Sequence, residues 1–420
     1  MRSVPRHPLR TDRATFTLLL GALVTLASFA TDMGLPVLEG TAASLGVTAS
    51  RAALTLSVFM AGFAAGPLLC GPLSDRYGRR PLLLAGCGAF ALFGVLATVA
   101  RSLESLLVCR TLMGMGAGTV QVLVLATVRD LHSGSEARTR QSYVNMAAGV
   151  APIIAPTLGV WIAALGGWRA IYAALALGGV ALFGIVWLRV AETAPLAGHR
   201  RLGVGQAAAS YGRVLRHPVS LGNALIVALS FGSLFAYVSG SSLVLMGVLG
   251  ASAALYGALF AATSLGLLLG ALLNARLTRR GVSHVRLLGI GLATTAAVAL
   301  VLLLLAATGL LRSWSLVGLL VVGNVAHGVV RPNAAQGALE PMPEIVGVAS
   351  ALLSGLQMLT GAAASAIAAS LFDGRTAIAM TGTMAVCTLG ALAVHRLVVR
   401  PAERAERRTT STRSHATVAA

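Results

Sequence analysis

Long runs of hydrophobic residues recur along the whole chain, and short segments rich in arginine, glycine and proline separate them. Each run holds about 20 residues, the length that an α-helix needs to cross a hydrocarbon layer of roughly 30 Å. The ten-residue alternating segments of a membrane β-barrel are absent, so the sequence predicts an all-α membrane protein with twelve transmembrane helices. The predicted helices cover residues 14–35, 50–72, 80–100, 103–127, 140–163, 168–189, 218–246, 252–275, 285–308, 313–333, 345–370 and 376–398.

Composition agrees with a membrane protein. Of the 420 residues, 56% are hydrophobic and only 11% are charged, whereas a soluble chain of this size needs far more polar surface. The net charge of +19 would suggest nucleic-acid binding in a soluble protein. Here every basic residue is arginine and nearly all lie at the ends of hydrophobic runs, so we interpret them as topology determinants and expect no nucleic-acid partner.

The arginines are divided unequally between the two sides of the membrane. Of the 32 arginines, 26 precede the first predicted helix, follow an even-numbered helix or lie in the tail, and five lie in the opposite loops. Because arginine-rich loops remain in the cytoplasm, both termini are predicted to be cytoplasmic. We expect a multi-pass protein of the bacterial inner (plasma) membrane.

The longest connection between predicted helices divides them six and six. A shift of 200 residues aligns Gly66 with Gly266 and the arginine pair 79–80 with the pair 279–280. Such a repeat is expected for two parallel bundles that enclose a cavity near the membrane midplane, a geometry suited to alternating access. The predicted parts are a cytoplasmic N-terminal segment 1–13, an N-terminal six-helix bundle 14–189, a cytoplasmic linker 190–217, a C-terminal six-helix bundle 218–398 and a basic cytoplasmic tail 399–420.

Asp32 is one of two charged residues that stand out within the predicted helices. A charge at the bilayer centre costs about 2.5–3.5 kcal/mol on insertion scales, so it needs a partner or a function. Gly34 and Pro36 follow Asp32 and are expected to end or kink the first helix. Two interpretations stay open: a hydrated carboxylate near a helix end, or a group that takes up and releases a proton in a partly dry cavity.

Arg110 is the second such residue, in the outer third of the fourth predicted helix. Gly114, Gly116 and Gly118 follow it and allow a neighbouring helix to approach closely. Arg110 either extends its guanidinium to the membrane interface or is a fixed positive charge that faces the cavity and tunes Asp32.

Several polar, aromatic and methionine positions are candidates for lining an apolar substrate cavity. Ordinary helix packing would account for each of them equally well, and we interpret His327 as a packing residue rather than a proton relay. The candidates are Met113, Gln121, Asn145, Met146, Phe231, Phe235, Tyr237 and Gln357.

The sequence contains no pattern that indicates an enzyme. It has no nucleotide-binding loop, no metal-ligand cluster and no nucleophile–base spacing, and its four cysteines lack paired spacing. We therefore expect no catalytic activity, no metal and no cofactor. The lipid bilayer is an expected partner, and the expected functional form is a monomer.

The connection between the second and third predicted helices carries the most specific motif. Its sequence, GPLSDRYGRR at residues 71–80, resembles the signature loop of the major facilitator superfamily, Gly-x-x-x-Asp-Arg-x-Gly-Arg-Arg, at every defined position. The resemblance implies two six-helix bundles around a central cavity. It also implies a charge cluster on the cytoplasmic side that acts as a conformational latch. The latch residues are Gly71, Asp75, Arg76, Gly78, Arg79, Arg80 and Asp130.

Other segments resemble the twelve-helix drug:proton antiporters, particularly the bicyclomycin-resistance (Bcr/CflA) subfamily. Gly34 departs from the tyrosine usual in that subfamily, and Val160 from a glycine that is frequent there. The resemblance implies proton-coupled multidrug efflux, with small drug-like molecules as the transported partners, the proton as the coupling ion and Asp32 as the proton carrier. The similar segments are TDMGLP at 31–36, RTLMGMGAGTVQVLVLATVRDL at 110–131, GVAPIIAPTLG at 149–159, GWRAIY at 167–172 and the segment 331–357.

The resemblance implies roles for two of these regions. Asp75 would dock against the N-terminus of a helix in the other bundle, and Arg79 would join Asp75 and Asp130, so that the latch holds an outward-open state. In the fifth helix a bend and a close packing seam are expected, which would prevent leak. The residues of this antiporter motif are Gly149, Pro152, Pro156 and Gly159. The alternative function is a facilitator or proton symporter for a small polar metabolite.

Overall fold

A computed structural model describes residues 14–193 and 204–405, and every helix boundary below lies within those two ranges. Within them the protein is helical and contains no β-strand. The helices are α1 (Ala14–Asp32), α2 (Leu38–Leu45), α3 (Ala49–Tyr77), α4 (Arg79–Thr98), α5 (Leu103–Leu131), α6 (Gly134–Arg189), α7 (Val204–Arg216), α8 (Pro218–Ser242), α9 (Ala253–Arg279), α10 (His284–Ala307), α11 (Ser313–Leu339), α12 (Val346–Ser370) and α13 (Ile378–Val394).

Helix α6 accounts for two of the twelve predicted membrane spans. Across the described ranges, eleven helical stretches are long and apolar enough to cross a membrane, and the one at Thr139–Arg189 has 51 residues. Its backbone leaves helical geometry at Gly166 and Gly167, where Gly167 has a φ of 65°. The stretch therefore contains two spans, at the positions predicted as 140–163 and 168–189. The all-α, twelve-span fold is confirmed.

One helix was not predicted from the sequence. Helix α7 lies inside the segment 190–217, which we assigned as a linker. This segment has no long apolar run, so its sequence did not predict a helix. The Arg213 guanidinium in its last turn lies 3.5 Å from the Glu344 carboxylate. Both side chains are exposed, so this ion pair contributes at most about 1 kcal/mol to stability.

The described residues separate into two compact units, each with its own core. Unit 1 combines the described part of Met1–Arg200 with Val238–Ser264 and Ser365–Ala379. One core cluster of this unit contains Phe16 and Leu20 from α1 and Leu123 from α5.

Unit 2 combines the described parts of Arg201–Tyr237, Leu265–Ala364 and Met380–Ala420. Its core cluster contains Ile226, Leu292 and Val330, one from each of three helices.

Glycine allows closely packed helix crossings inside both units. In unit 1, a Cβ on Gly114 would overlap the carbonyl oxygen of Phe59, so α3 and α5 touch through their backbones. In unit 2, a Cβ on Gly270 would overlap the carbonyl oxygen of Val325, so α9 and α11 cross in the same way. Helices α3 and α5 are the second and fourth spans of the first half, and α9 and α11 are the equivalent spans of the second half. This correspondence agrees with the repeat seen in the sequence.

Candidate functional site

The carboxylate of Asp32 is buried at the point where α1 ends. The helix stops at Asp32, and a short 3₁₀ turn, Leu35–Val37, follows, as Gly34 and Pro36 predict. Only 5% of Asp32 is exposed, so the side chain lies inside the protein rather than on its lipid-facing surface. A Cβ on Gly159 would overlap the carbonyl oxygen of Met33, so α6 packs directly against the backbone beside Asp32.

The guanidinium of Arg110 is buried among aromatic rings. Arg110 is 3% exposed, and its Nε donates to the carbonyl oxygen of Thr55 at 3.3 Å. Its guanidinium carbon lies 4.4 Å from the ring centroid of Phe59 and 5.7 Å from that of Tyr172. The Nη1 atom has no hydrogen-bond partner among the described residues. Arg110 therefore does not extend to the membrane interface.

A cavity surrounds the Arg110 side chain. Its empty volume, including the part open to solvent, is about 450 Å³. It lies where α1, the following turn and α2 meet α3, α5 and the second span of α6, at the helix ends opposite the motif loop 71–80. Asp32 is not among the residues that line it, and the salt bridges found within the described chain do not join Asp32 to Arg110. The lining residues include Thr31, Thr41, Thr55, Arg110, Trp168 and Tyr172.

Arg79 of the motif loop is held by an ion pair within unit 1. Its Nε lies 3.1 Å from Oδ2 of Asp130 at the end of α5, and its Nη1 donates to the hydroxyl of Ser74. Both charged side chains are largely buried, so solvent screens this pair less than an exposed one. The predicted partner Asp75, together with Gly71 and Arg76, lies outside the residues whose side chains the structure describes.

Glu192, which the sequence analysis missed, caps the start of α4. Its Oε1 accepts from the backbone N–H of Arg79 at 2.8 Å, and its Oε2 accepts from that of Arg80 at 3.3 Å. A carboxylate at this position satisfies free N–H groups and interacts favourably with the positive end of the helix dipole. One sequence signal was available: Glu192 is the only acidic residue between 190 and 217.

Gly78 is required beside this cap for two reasons. Its φ of 98° and ψ of 166° belong to a region that is open almost only to glycine. A Cβ at this position would overlap Oε2 of Glu192. The Nη2 atom of Arg80 also donates to the carbonyl oxygen of Trp187 at 2.7 Å, so the loop is tied to the end of α6 at several points.

The antiporter motif of the fifth span is helical throughout. Pro152 and Pro156 lie inside α6, whose backbone leaves helical geometry only at the glycine pair 166–167. The bend that we expected here does not interrupt the helix. Gly159 makes the expected close contact, whereas a Cβ on Gly149 would meet no atom within 4 Å.

The cavity candidates of unit 1 differ widely in exposure. Met113 is fully buried and therefore packs between helices instead of lining an accessible space. Gln121 is half-buried, and Asn145 and Met146 are exposed.

The candidates of unit 2 include one aromatic pair. The rings of Phe231 and Phe235 lie 4.5 Å apart, and the guanidinium carbon of Arg331 lies 5.4 Å from the Phe231 centroid. Tyr237 and Gln357 are buried. His327 is buried as well, which agrees with a packing role, although its Nδ1 has no partner among the described residues.

Three buried serines, none of them among the predicted site residues, join helix ends within unit 1. The hydroxyls of Ser57 in α3 and Ser365 in α12 lie 2.8 Å apart. The hydroxyl of Ser239 in α8 donates to the carbonyl oxygen of Ser365 at 3.5 Å. Single serines in apolar helices carry no signal in a sequence, because their partners depend on helices far away along the chain.

Three relatives are similar over most of their length. The bicyclomycin resistance protein homolog of Haemophilus influenzae is 28% identical over 89% of this chain and 93% of its own. The uncharacterized MFS-type transporter YdgK of Bacillus subtilis is 31% identical over 92% and 96%. Multidrug resistance protein D of Escherichia coli is 26% identical over 86% and 90%.

Solved structures of transporters share the fold. A bacterial homolog of the human lysosomal transporter Spinster, in an inward-facing and occupied conformation, gives a TM-score of 0.72 at 15% identity, over 94% of this chain and 98% of its own. A D-xylose–proton symporter gives 0.71 at 18% identity, over 92% and 98%. The sequence profile of the Major Facilitator Superfamily matches residues 18–365. The chain is an integral membrane protein and belongs to the major facilitator superfamily.

Proposed function

We propose that the protein is a drug:proton antiporter that exports drug-like amphipathic molecules across the inner membrane while protons move inward. Support comes from the relatives whose names record resistance to bicyclomycin or to several drugs. In this proposal the protein works as a monomer by alternating access, with both termini in the cytoplasm. The proton is its coupling ion, and it needs no other cofactor.

The observation that carries the proposal is the buried carboxylate of Asp32. A carboxylate inside a membrane span is costly, and such residues typically mark proton or ion pathways. Asp32 lies at the end of the first span, where α6 packs against the adjacent backbone through Gly159. A group placed there can bind a proton from one side and release it to the other when the helices around it rearrange.

The available driving force is sufficient for useful export. One elementary charge that crosses 100 mV provides about 2.3 kcal/mol, which corresponds to roughly fifty-fold accumulation if coupling is complete. Arg110 would tune the affinity of Asp32 for the proton as a fixed positive charge in the same half of the protein. The cluster of Arg79, Asp130 and Glu192, with Asp75, would act as the cytoplasmic latch.

The proposal is tested with purified protein in lipid vesicles under an imposed pH gradient. Asp32→Asn keeps the size of the side chain but removes its ionisation, so we expect gradient-driven accumulation of a cationic fluorescent drug to fall to the level of empty vesicles. Protein abundance in the vesicles should be unchanged. Drug accumulation at the wild-type rate in Asp32→Asn would contradict the proposal.

Asp373→Asn is the matched control, since Asp373 lies in the connection between α12 and α13. The N–H groups of Arg375 and Thr376 donate to its carboxylate at 2.9 and 2.8 Å, and they lower its pKa from the ordinary 3.8 to about 2. Asp373 therefore stays ionised from pH 5 to 8 and cannot produce a pH dependence of transport in that range. We expect this variant to accumulate drug at the wild-type rate.

A further inference from the structure

The cavity beside Arg110 is lined by one charged residue, which forms no ion pair within the part of the chain that the structure describes. Arg110 is the only charged residue among those that line the cavity. Its Nη1 is buried and has no partner among the described residues, although a buried cation normally needs a paired anion or several hydrogen bonds. The cavity thus presents an unsatisfied N–H donor with a full positive charge nearby.

Most polar groups of the cavity have no proton left to donate to a ligand. The hydroxyls of Thr31, Thr41 and Thr55 donate to backbone carbonyl oxygens at 2.7, 2.9 and 2.7 Å. The indole N–H of Trp168 donates to the Ser44 hydroxyl at 2.6 Å. All of these groups are neutral, and the described residues place no carboxylate on the cavity, so a bound anion is the natural counter-charge for Arg110.

We propose that this cavity binds a monovalent anion, such as a halide or a short carboxylate, on the free Nη1 of Arg110. A single charge is favoured because only one cation is present, and a second negative charge would be buried without compensation. Among the halides a weakly hydrated one suits the site best, since the apolar walls return little of the hydration energy that the ion loses on entry. Tyr172 and Trp168 also line the cavity, and the edges of aromatic rings interact favourably with an anion.

This site goes beyond the proposed function, which gives Arg110 the role of a fixed charge near Asp32 and assigns no role to an anion. Its anion would be a third ligand, bound in unit 1 at the helix ends opposite the motif loop. Binding can be measured in detergent without any gradient, and the Asp32→Asn variant should retain it. Failure of antiport and failure of anion binding are therefore separate results.

Trp168 provides a direct readout, since iodide quenches tryptophan fluorescence on contact. The other three tryptophans, Trp161, Trp187 and Trp314, are 69%, 51% and 78% exposed and are replaced by phenylalanine. In this single-tryptophan protein we expect iodide to quench Trp168 with a saturable curve. Chloride and acetate, added in separate arms at constant ionic strength, should reverse the quenching by competition. The more effective competitor identifies a halide or a carboxylate as the preferred ligand.

Three variants assign the effect to one of two nearby arginines. Arg110→Gln removes the charge and should weaken saturable quenching at least tenfold, whereas Arg110→Lys should restore part of it. Arg169→Gln is the matched control: Arg169 stacks on Trp168 with its guanidinium carbon 4.2 Å from the ring centroid, but it does not line the cavity. This control should keep the saturable curve.

Three results would overturn the proposal. They are no quenching of Trp168, quenching that rises linearly without competition by chloride or acetate, and a saturable component that Arg110→Gln leaves intact. The competition experiments use the single-tryptophan protein with its native Arg110, so the proposal stays testable even if Arg110→Gln does not fold. Folding of each variant is checked by size-exclusion chromatography and far-ultraviolet circular dichroism.

Discussion

Gly78 and Glu192 explain at the level of single residues why the motif loop needs its glycine and its neighbouring carboxylate. The backbone at Gly78 adopts a conformation that other residues reach only with strain of order 1–3 kcal/mol. That conformation brings the N–H groups of Arg79 and Arg80 together on one carboxylate. Any side chain at residue 78 would occupy the position of that carboxylate.

A double-mutant cycle tests this contact. Gly78→Ala should destabilise the protein by both backbone strain and displacement of Glu192, about 2–4 kcal/mol in total. In a Glu192→Ala background the displacement no longer matters, so Gly78→Ala should cost about 1 kcal/mol less than in the wild type. The free energies of unfolding come from denaturant titrations in detergent micelles. Strictly additive effects would show that Gly78 and Glu192 do not interact.

At the level of helices, glycine at the crossing points determines how closely the spans approach. Gly114 on α5 touches the backbone of α3, and Gly270 on α9 touches that of α11. An added methyl group has no room at either crossing unless the helices separate. Overpacking of this kind typically costs about 1–3 kcal/mol.

Gly114→Ala should therefore lower the free energy of unfolding by about 1–3 kcal/mol, despite the higher helix propensity of alanine. Gly184→Ala in α6 is the matched control, because a Cβ there meets no atom within 4 Å. This control should be neutral or stabilising by up to about 1 kcal/mol. Equal losses in the two variants would mean that the α3–α5 crossing does not depend on backbone contact.

The helices could be predicted because the bilayer constrains their length and hydrophobicity so strongly. Even the end of α1 at Asp32 follows from the local sequence, since glycine and proline come directly after it. The resemblance to a family indicated the pair Arg79 and Asp130, but a carboxylate that binds backbone N–H groups, as Glu192 does, leaves no charge pattern. Met113 was assigned to a cavity and is fully buried, because its neighbours come from other helices.

The cavity at Arg110 shows most clearly that contacts between distant helices could not be predicted from the sequence. Thr55, Trp168 and Arg110 belong to three different helices that are far apart in the chain. Their sequence neighbourhoods identify Arg110 as unusual but do not say what surrounds it. Only the packing of α3, α5 and α6 shows that the guanidinium lies among aromatic rings with one nitrogen free.

For the whole molecule, the central claim is that proton movement through Asp32 is exchanged for drug movement. The fold cannot decide the direction of coupling, since a proton symporter shares it with a TM-score of 0.71. The serine contacts among Ser57, Ser239 and Ser365 join helices from both halves of the chain within unit 1. Direction has to be measured by following protons and drug together.

The most direct measurement follows internal pH in vesicles that contain the protein and a trapped pH-sensitive dye, without a preset pH gradient. When drug is added outside, it moves inward and an antiporter moves protons outward, so the interior should become more alkaline. We predict this opposed proton flux for the wild type and for Asp373→Asn, and none for Asp32→Asn. Proton flux in the same direction as the drug, or an undiminished flux in Asp32→Asn, would contradict the account.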